Sequence, residues 1–229
     1  MNNVNVDGFS GISFWRENNL GVIVIKTNKN FNMTRNTIDE IILALTSASL
    51  DSEVKAVAFT GQNNYFVNSI EADDSETLNL LESVRTLSLS LASFDKPVFS
   101  LLNGPCKNSG YEISLLTDYM ISTTNNEVGF NNDYEFIMGG SVTSQKYKFS
   151  VVGIAKENLN VDAVVARENF LGDSVELINR ISSRVMVQTR KSRLRHIREV
   201  IDDEHLRYIK NRYSDLLKNR EVRQKEVIN

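Results

Sequence analysis

Residues 95–123, DKPVFSLLNGPCKNSGYEISLLTDYMIST, decide how the rest of the chain is read. The apolar run at 97–102 (PVFSLL) has the length of a strand, and the polar turn after it, carrying Gly104 and Pro105, stops it. A helix opens near Ser109, and a second short strand candidate follows at 117–122 (TDYMIS). Working outward, 54–60 (VKAVAFT) and 21–27 (GVIVIKT) are stronger β-branched runs, and Phe14 and Trp15 fit a first hairpin with the latter. Helical patterns lie between them. Thr37 with Glu40 forms a capping-box pair ahead of Ile41, Ile42, Leu45 and Ala48. Leu78, Leu81, Val84, Leu87 and Leu91 form an apolar stripe over about 71–93. This β-α-β-α-β-α-β order predicts an α/β fold with a mostly parallel sheet, helices against it and right-handed crossovers. Sites in such sheets sit where strands hand over to helices.

From about residue 154 the pattern turns helical, with one short strand-like piece at 177–181 (LINRI). Leu194, Ile197, Ile201, Leu206, Ile209, Tyr213 and Leu217 keep close to a helical period, so the last segment packs on something, either its own domain or a neighbouring subunit. The expected division is an α/β core over 1–153 that holds the site and a helical region over 154–229.

Composition narrows the chemistry. A chain of 229 residues, 41% hydrophobic and 24% charged, can bury the core of one main soluble domain. No window approaches the ~18 uninterrupted apolar residues of a membrane span, and the polar start MNNVNVDGFS lacks the features of a secretory signal, so a cytoplasmic location is expected. A single cysteine, Cys106, excludes an internal disulfide, and two histidines, His196 and His205, do not assemble an ordinary zinc cluster; both read as solvated helix residues. No metal is expected. Net charge is −3, but residues 184–229 hold 13 Lys+Arg against 7 Asp+Glu while residues 1–183 hold 13 against 22. The charges of this tail, Arg190, Lys191, Arg193 and Arg195 among them, interleave with apolar residues and read as a solvated helix face, or as contacts to phosphates or an acidic partner. No stacking-aromatic motif accompanies them, so nucleic acid is not an expected partner. The phosphate loop GxxxxGK[ST] and the GxGxxG, GxSxG and HExxH motifs are all absent.

Two segments remain as candidates: Tyr65–Glu71 (YFVNSIE) after the second strand and Asn103–Glu112 (NGPCKNSGYE) after the third. A strand that turns into a helix presents free N–H groups at a positive helix end, and two such places converging hold a developing oxyanion. Glu112 lies one turn into its helix and can move a proton at a carbon beside a carbonyl if burial raises its pKa. The competing reading is structural, because Ser109-x-x-Glu112 is also a capping box. Cys106 has no nearby histidine to activate it as a nucleophile.

These residues carry a resemblance that covers most of the chain. GVIVIKTNKNFNMT (21–34), SEVKAVAFTGQNNYFVNSIEADD (52–74), residues 95–123, LINRIS (177–182) and KNREVRQKEVIN (218–229) resemble, in order, stretches of the crotonase (enoyl-CoA hydratase/isomerase) superfamily. Lys96, Pro97, Asn103, Gly104, Gly110, Glu112 and Asp118 keep that family's register. The resemblance implies a crotonase-like ββα spiral core with an α-helical C-terminal trimerisation region, and thioesters of coenzyme A or of a carrier protein as substrates. The handle would be coenzyme A or phosphopantetheine, with no other cofactor, and the assembly a homotrimer or hexamer. By position, the oxyanion donors would be the N–H groups of Ile70 and Ser109, and Glu112 the first acid/base carboxylate. The second falls on Asn132 by ungapped counting, or on Asp133 after a one-residue shift.

The departures are informative. Asn108-Ser109-Gly110 and Asn68-Ser69-Ile70-Glu71 put side chains where the family has smaller residues, and Asn68, Asn108, Gly110 and Tyr134 would border the substrate. An Asn cannot exchange a proton, so Asn132 in the second position disfavours adding water across a double bond. One carboxylate with an oxyanion hole suffices for allylic isomerisation or for decarboxylating a carboxyacyl thioester. The implied function is therefore an enoyl hydratase/dehydratase or double-bond isomerase. The alternatives are a decarboxylase of polyketide-type biosynthesis and a non-catalytic crotonase-like subunit.

Overall fold

The computed structural model describes residues 4–5, 8–71, 77–147, 153–155, 161–182 and 184–228. Its main sheet has seven strands in the order β1 (Val4–Asn5), β2 (Ile12–Glu17), β3 (Leu20–Ile25), β4 (Ala56–Gly61), β5 (Val98–Leu102), β7 (Tyr119–Thr123) and β10 (Ala163–Val165). The β2–β3 hairpin is antiparallel, with Trp15 opposite Val22, and from β3 onward every pair is parallel. A smaller sheet joins β6 (Cys106–Lys107), β8 (Val128–Phe130) and β9 (Gly153–Ala155). The helices are α1 (Arg35–Leu50), α2 (Thr77–Ser93), α3 (Asn108–Leu116), α4 (Gly140–Thr143), α5 (Phe170–Ile181), α6 (Arg184–Arg193) and α7 (Ile197–Ile228).

The alternation of strand side chains gives the sheet two buried faces. Ile23, Val57, Phe59, Val98 and Met120 pack with Ile41, Leu45, Val84, Leu87 and Ile113 of α1, α2 and α3. Val22, Ala58, Phe99 and Ile121 pack with Phe170 and Ile178 of α5. The four strands and three helices read from the sequence are present within a few residues; residues 72–76, at the expected start of α2, lie outside those described.

Four expectations are corrected. The LINRI piece is the last part of α5, because Ile178 is one buried turn of an amphipathic helix and a short apolar run fits either period. Thr37 and Glu40 form no capping box: Thr34 caps α1 by accepting the Thr37 N–H, and Glu40 accepts the N–H groups of Ser10, Gly11 and Ile12 at 3.0, 2.6 and 3.1 Å, which anchors the start of β2. His205 is buried, while His196 is exposed. Arg190, Lys191 and Arg193 of the basic tail turn to the protein, while Arg184, Arg195, Arg198, Arg207 and Lys210 are exposed as expected. Arg190 is 1% exposed, pairs with the buried Asp118 and donates to the carbonyls of Phe94 and Lys96. Arg193 donates to the carbonyls of Leu115 and Thr117 at the end of α3, and Lys191 pairs with Asp95. The sheet also runs past residue 153, since β10 pairs with β7 and the Asp162 carboxylate accepts the Met120 N–H at 2.8 Å. Among the described residues no helix is long and apolar enough to cross a membrane.

Asp118 also accepts the Val98 N–H at 2.7 Å, so this carboxylate joins α3, β5 and α6. Removing one partner leaves a buried charge uncompensated. Arg190→Leu is expected to cost about 3–5 kcal/mol in urea unfolding. A loss under about 1 kcal/mol, typical of an exposed pair, would contradict the placement.

Candidate active site

The ends of β4 and β5 are tied by one side chain: Asn103 donates through Nδ2 to the Gly61 carbonyl at 2.7 Å and accepts the Gly61 N–H at 3.2 Å. The two segments that follow then run side by side. Phe66 N–H donates to Pro105 O at 3.1 Å, and Lys107 N–H donates to Val67 O at 2.9 Å. Gly110 makes this approach possible, because a Cβ there would lie 2.4 Å from Val67 O. A glycine is required here for close packing of the two segments.

Beyond Val67 the chain bridges to Met33, whose N–H donates to Ser69 O at 2.9 Å and whose carbonyl accepts the Glu71 N–H at 2.8 Å. The Ile70 N–H takes no part in this bridge, and the Ser109 N–H lies in the first turn of α3, ahead of the i−4 ladder. Neither has a partner among the described residues. They are two backbone donors on neighbouring segments, one at a positive helix end. Asn108 takes a left-handed conformation (φ 48°), and its Oδ1 accepts the Asn131 N–H at 2.9 Å. It pins the start of the 131–140 loop.

Glu112 is fully buried and does not fold back on its own helix, so the capping-box reading is overturned. Its Oε1 accepts the N–H groups of Met138 and Gly140 at 3.0 and 2.8 Å. Its Oε2 accepts the Ile137 N–H at 3.1 Å and the Tyr134 hydroxyl at 2.5 Å. Tyr134 Oη is also 2.8 Å from Ser109 Oγ. With the phenol proton directed at Glu112, the Ser109 hydroxyl donates to Tyr134, and a chain Ser109–Tyr134–Glu112 runs from the first turn of α3 to the buried carboxylate. Burial pushes the Glu112 pKa up to about 8, and the charge of Glu204 adds to the rise against the opposing pull of Tyr134, Ile137 and Met138. Burial, then the Glu112 charge, holds the Tyr134 phenol well above its ordinary value, so it is a proton donor that does not ionise at neutral pH.

Asn132 and Asp133 are both exposed, and neither contacts Glu112; the loop turns them outward and brings Tyr134 in. Tyr134 is held by stacking on Phe130 (5.6 Å between centroids) and by an edge contact with Phe136 (5.9 Å). Asn68 is half-buried, with its N–H on Phe31 O, and its side chain has no contact with Glu112. Cys106 is buried with its thiol pushed up by desolvation, which leaves no nucleophile. Sequence reasoning missed Glu204 and the N–H groups of residues 137–141. The one local signal was the Gly139-Gly140 pair, where a Cβ on Gly140 would lie 2.5 Å from Glu112 Oε1.

The profile of the enoyl-CoA hydratase/isomerase family matches residues 16–144, more than half of the chain. The chain belongs to that family, within the crotonase superfamily. In fold it is similar to an enoyl-CoA hydratase from Mycobacterium avium subsp. paratuberculosis K-10 (18% identity, TM-score 0.74, 87% of this chain and 92% of that one). It is also similar to Pseudomonas aeruginosa DspI (17%, TM-score 0.70, 93% and 98%) and to an enoyl-CoA hydratase from Bacillus anthracis (17%, TM-score 0.68, 91% and 92%).

A carboxyl whose pKa is raised on folding binds its proton more tightly in the native state. Between its ordinary value near 4.5 and about 8 the folded chain holds a proton that the unfolded chain releases, so Glu112 makes stability fall as pH rises through that window. His205, whose pKa burial lowers, acts in the opposite sense below its ordinary 6.5. Comparing wild type with Glu112→Gln isolates the carboxylate. Denaturant unfolding between pH 5 and 8 is expected to show a downward slope in the wild type that the variant lacks; equal slopes would contradict the assignment.

Proposed function

We propose that this chain is an acyl-thioester isomerase that works through an enolate. The Ile70 and Ser109 N–H groups would hold the thioester oxygen, and the Ser109–Tyr134–Glu112 chain would shuttle one proton between two carbons of the acyl group. The observation that carries the reading is the Tyr134 hydroxyl, hydrogen-bonded on one side to the residue of an oxyanion donor and on the other to a buried carboxylate with a raised pKa. Tyr134 would take the substrate proton as its own moves to Glu112 and return a proton at the second carbon. One acid/base chain suffices, because the proton removed is the proton redelivered. Hydration is less well supported, since a water between two carboxylates needs a second one and Asn132 and Asp133 face solvent.

A second reading has its own observation. All four contacts on Glu112 are occupied, and the Tyr134 phenol favours giving a proton over taking one. That suits decarboxylation of a carboxyacyl thioester, in which the enolate forms by loss of carbon dioxide and only an acid is needed. The handle would be coenzyme A or phosphopantetheine, and the C-terminal helices would serve a homotrimer or hexamer.

The test is incubation with β,γ-enoyl and carboxyacyl thioesters on coenzyme A and on a carrier protein, followed by absorbance of the conjugated enone and by mass. Conjugation without mass change is the expected result, and loss of carbon dioxide would replace it with the second reading. Tyr134→Phe is expected to lower the rate by about 100-fold or more while thioester binding persists. An undiminished rate in that variant would remove Tyr134 from the chemistry.

A further inference from the structure

The turn that holds Glu112 holds a second buried carboxylate. Glu204, on α7, is 2% exposed and accepts the Gly139 N–H at 2.6 Å, the Ser141 N–H at 3.0 Å and the Ser141 hydroxyl at 2.5 Å. The N–H groups of residues 137–141 are thus divided: Ile137, Met138 and Gly140 go to Glu112, Gly139 and Ser141 to Glu204. α7 is fixed over this turn from several sides. His205 Nε2 donates to the Ile137 carbonyl at 2.8 Å, and Asp202 pairs with Arg85 of α2 at 2.7 Å. Gly139 adopts a positive φ of 89°, and a Cβ there would lie 2.2 Å from Ile197 Cδ1. The helix and the turn therefore fit in one placement.

We propose that Glu204 is a positioning residue for the proton shuttle: by gripping the alternate N–H groups of the 137–141 turn it makes docking of α7 set both the place and the basicity of Glu112. The inference rests on the reading of Glu112 and Tyr134 given under Proposed function. A carboxylate on the other side of one backbone turn, in a water-poor region, opposes ionisation of Glu112 and makes it the stronger base. The groups that face the pair are Tyr134 and Ser109 on the Glu112 side. On the α7 side they are Ser141, His205, and Asp202 with Arg85; Glu135 and Arg207 border the small cavity, about 160 Å³, that Tyr134 and Glu204 line. Arg207, on the rim of that cavity, is exposed.

The test uses the full chain labelled with ¹³C at glutamate Cδ, with the Glu112 resonance assigned by its loss in Glu112→Gln. Glu204→Gln keeps an acceptor for Ser141 and removes the charge, so the Glu112 titration midpoint should move down by roughly one pH unit. The pH profile of thioester turnover should move with it. Ser141→Ala takes a donor from Glu204, leaves its charge less compensated and should move the midpoint up. An unmoved midpoint in whichever variant folds overturns the proposal, even where stability falls, because a merely structural contact would not change the titration of Glu112. A moved midpoint in a protein that turns over no thioester would support the coupling and instead contradict the catalytic reading of Glu112 and Tyr134.

Discussion

Five consecutive backbone N–H groups, from Ile137 to Ser141, are shared by two buried carboxylates, and the site depends on that division. A turn of this kind concentrates N–H dipoles and tolerates negative charge that the apolar surroundings would otherwise expel. Glu112 comes to it from α3, one turn after Ser109, and Glu204 comes from α7. The two carboxylates thereby join the sheet-borne half of the molecule to its last helix. Without the turn, Glu112 would keep only the Tyr134 hydroxyl as a partner; without Glu112, the turn would hold orphaned donors.

The arrangement explains why a chain with so many altered motif positions keeps Gly104, Gly110 and Glu112. Gly104 and Gly110 are positions where added side chains would strike the carbonyls of Asn64 and Val67, at 1.8 and 2.4 Å. These are constraints of packing between the two loops that bridge at Val67 and Cys106. Asn108 and Ser109 tolerate side chains because one side chain is used to fasten the 131–140 loop and the other to meet Tyr134. The aromatic group Tyr111, Phe130, Tyr134 and Phe136 then fixes the phenol in place.

Much of the fold was legible because strands at 20–25, 56–61 and 98–102 are buried on both faces and read as continuous apolar runs. Glu112 was legible for a different reason, its position one turn past a strand-to-helix junction. What stayed hidden has a common cause. Glu40, Arg190, Glu204 and His205 have polar side chains that sequence patterning assigns to solvent or to local caps, yet each bonds to backbone far along the chain: Glu40 to Ser10–Ile12, Arg190 to Phe94 and Lys96, Glu204 and His205 to the 137–141 turn. Periodicity carries no information on such long-range partners. The choice between Asn132 and Asp133 failed likewise, because loop length decides which residue reaches Glu112, and here it is Tyr134.

The central claim is that Tyr134, backed by Glu112, moves a proton at the carbon beside a thioester carbonyl held by Ile70 and Ser109. The most direct measurement is deuterium uptake at that carbon when a saturated acyl thioester is incubated with the protein in D₂O, since it reports enolate formation whatever reaction follows. Uptake that is present in the wild type and lost in Tyr134→Phe is the predicted result. Uptake unchanged by that substitution, or absent from the wild type with every thioester, would contradict it.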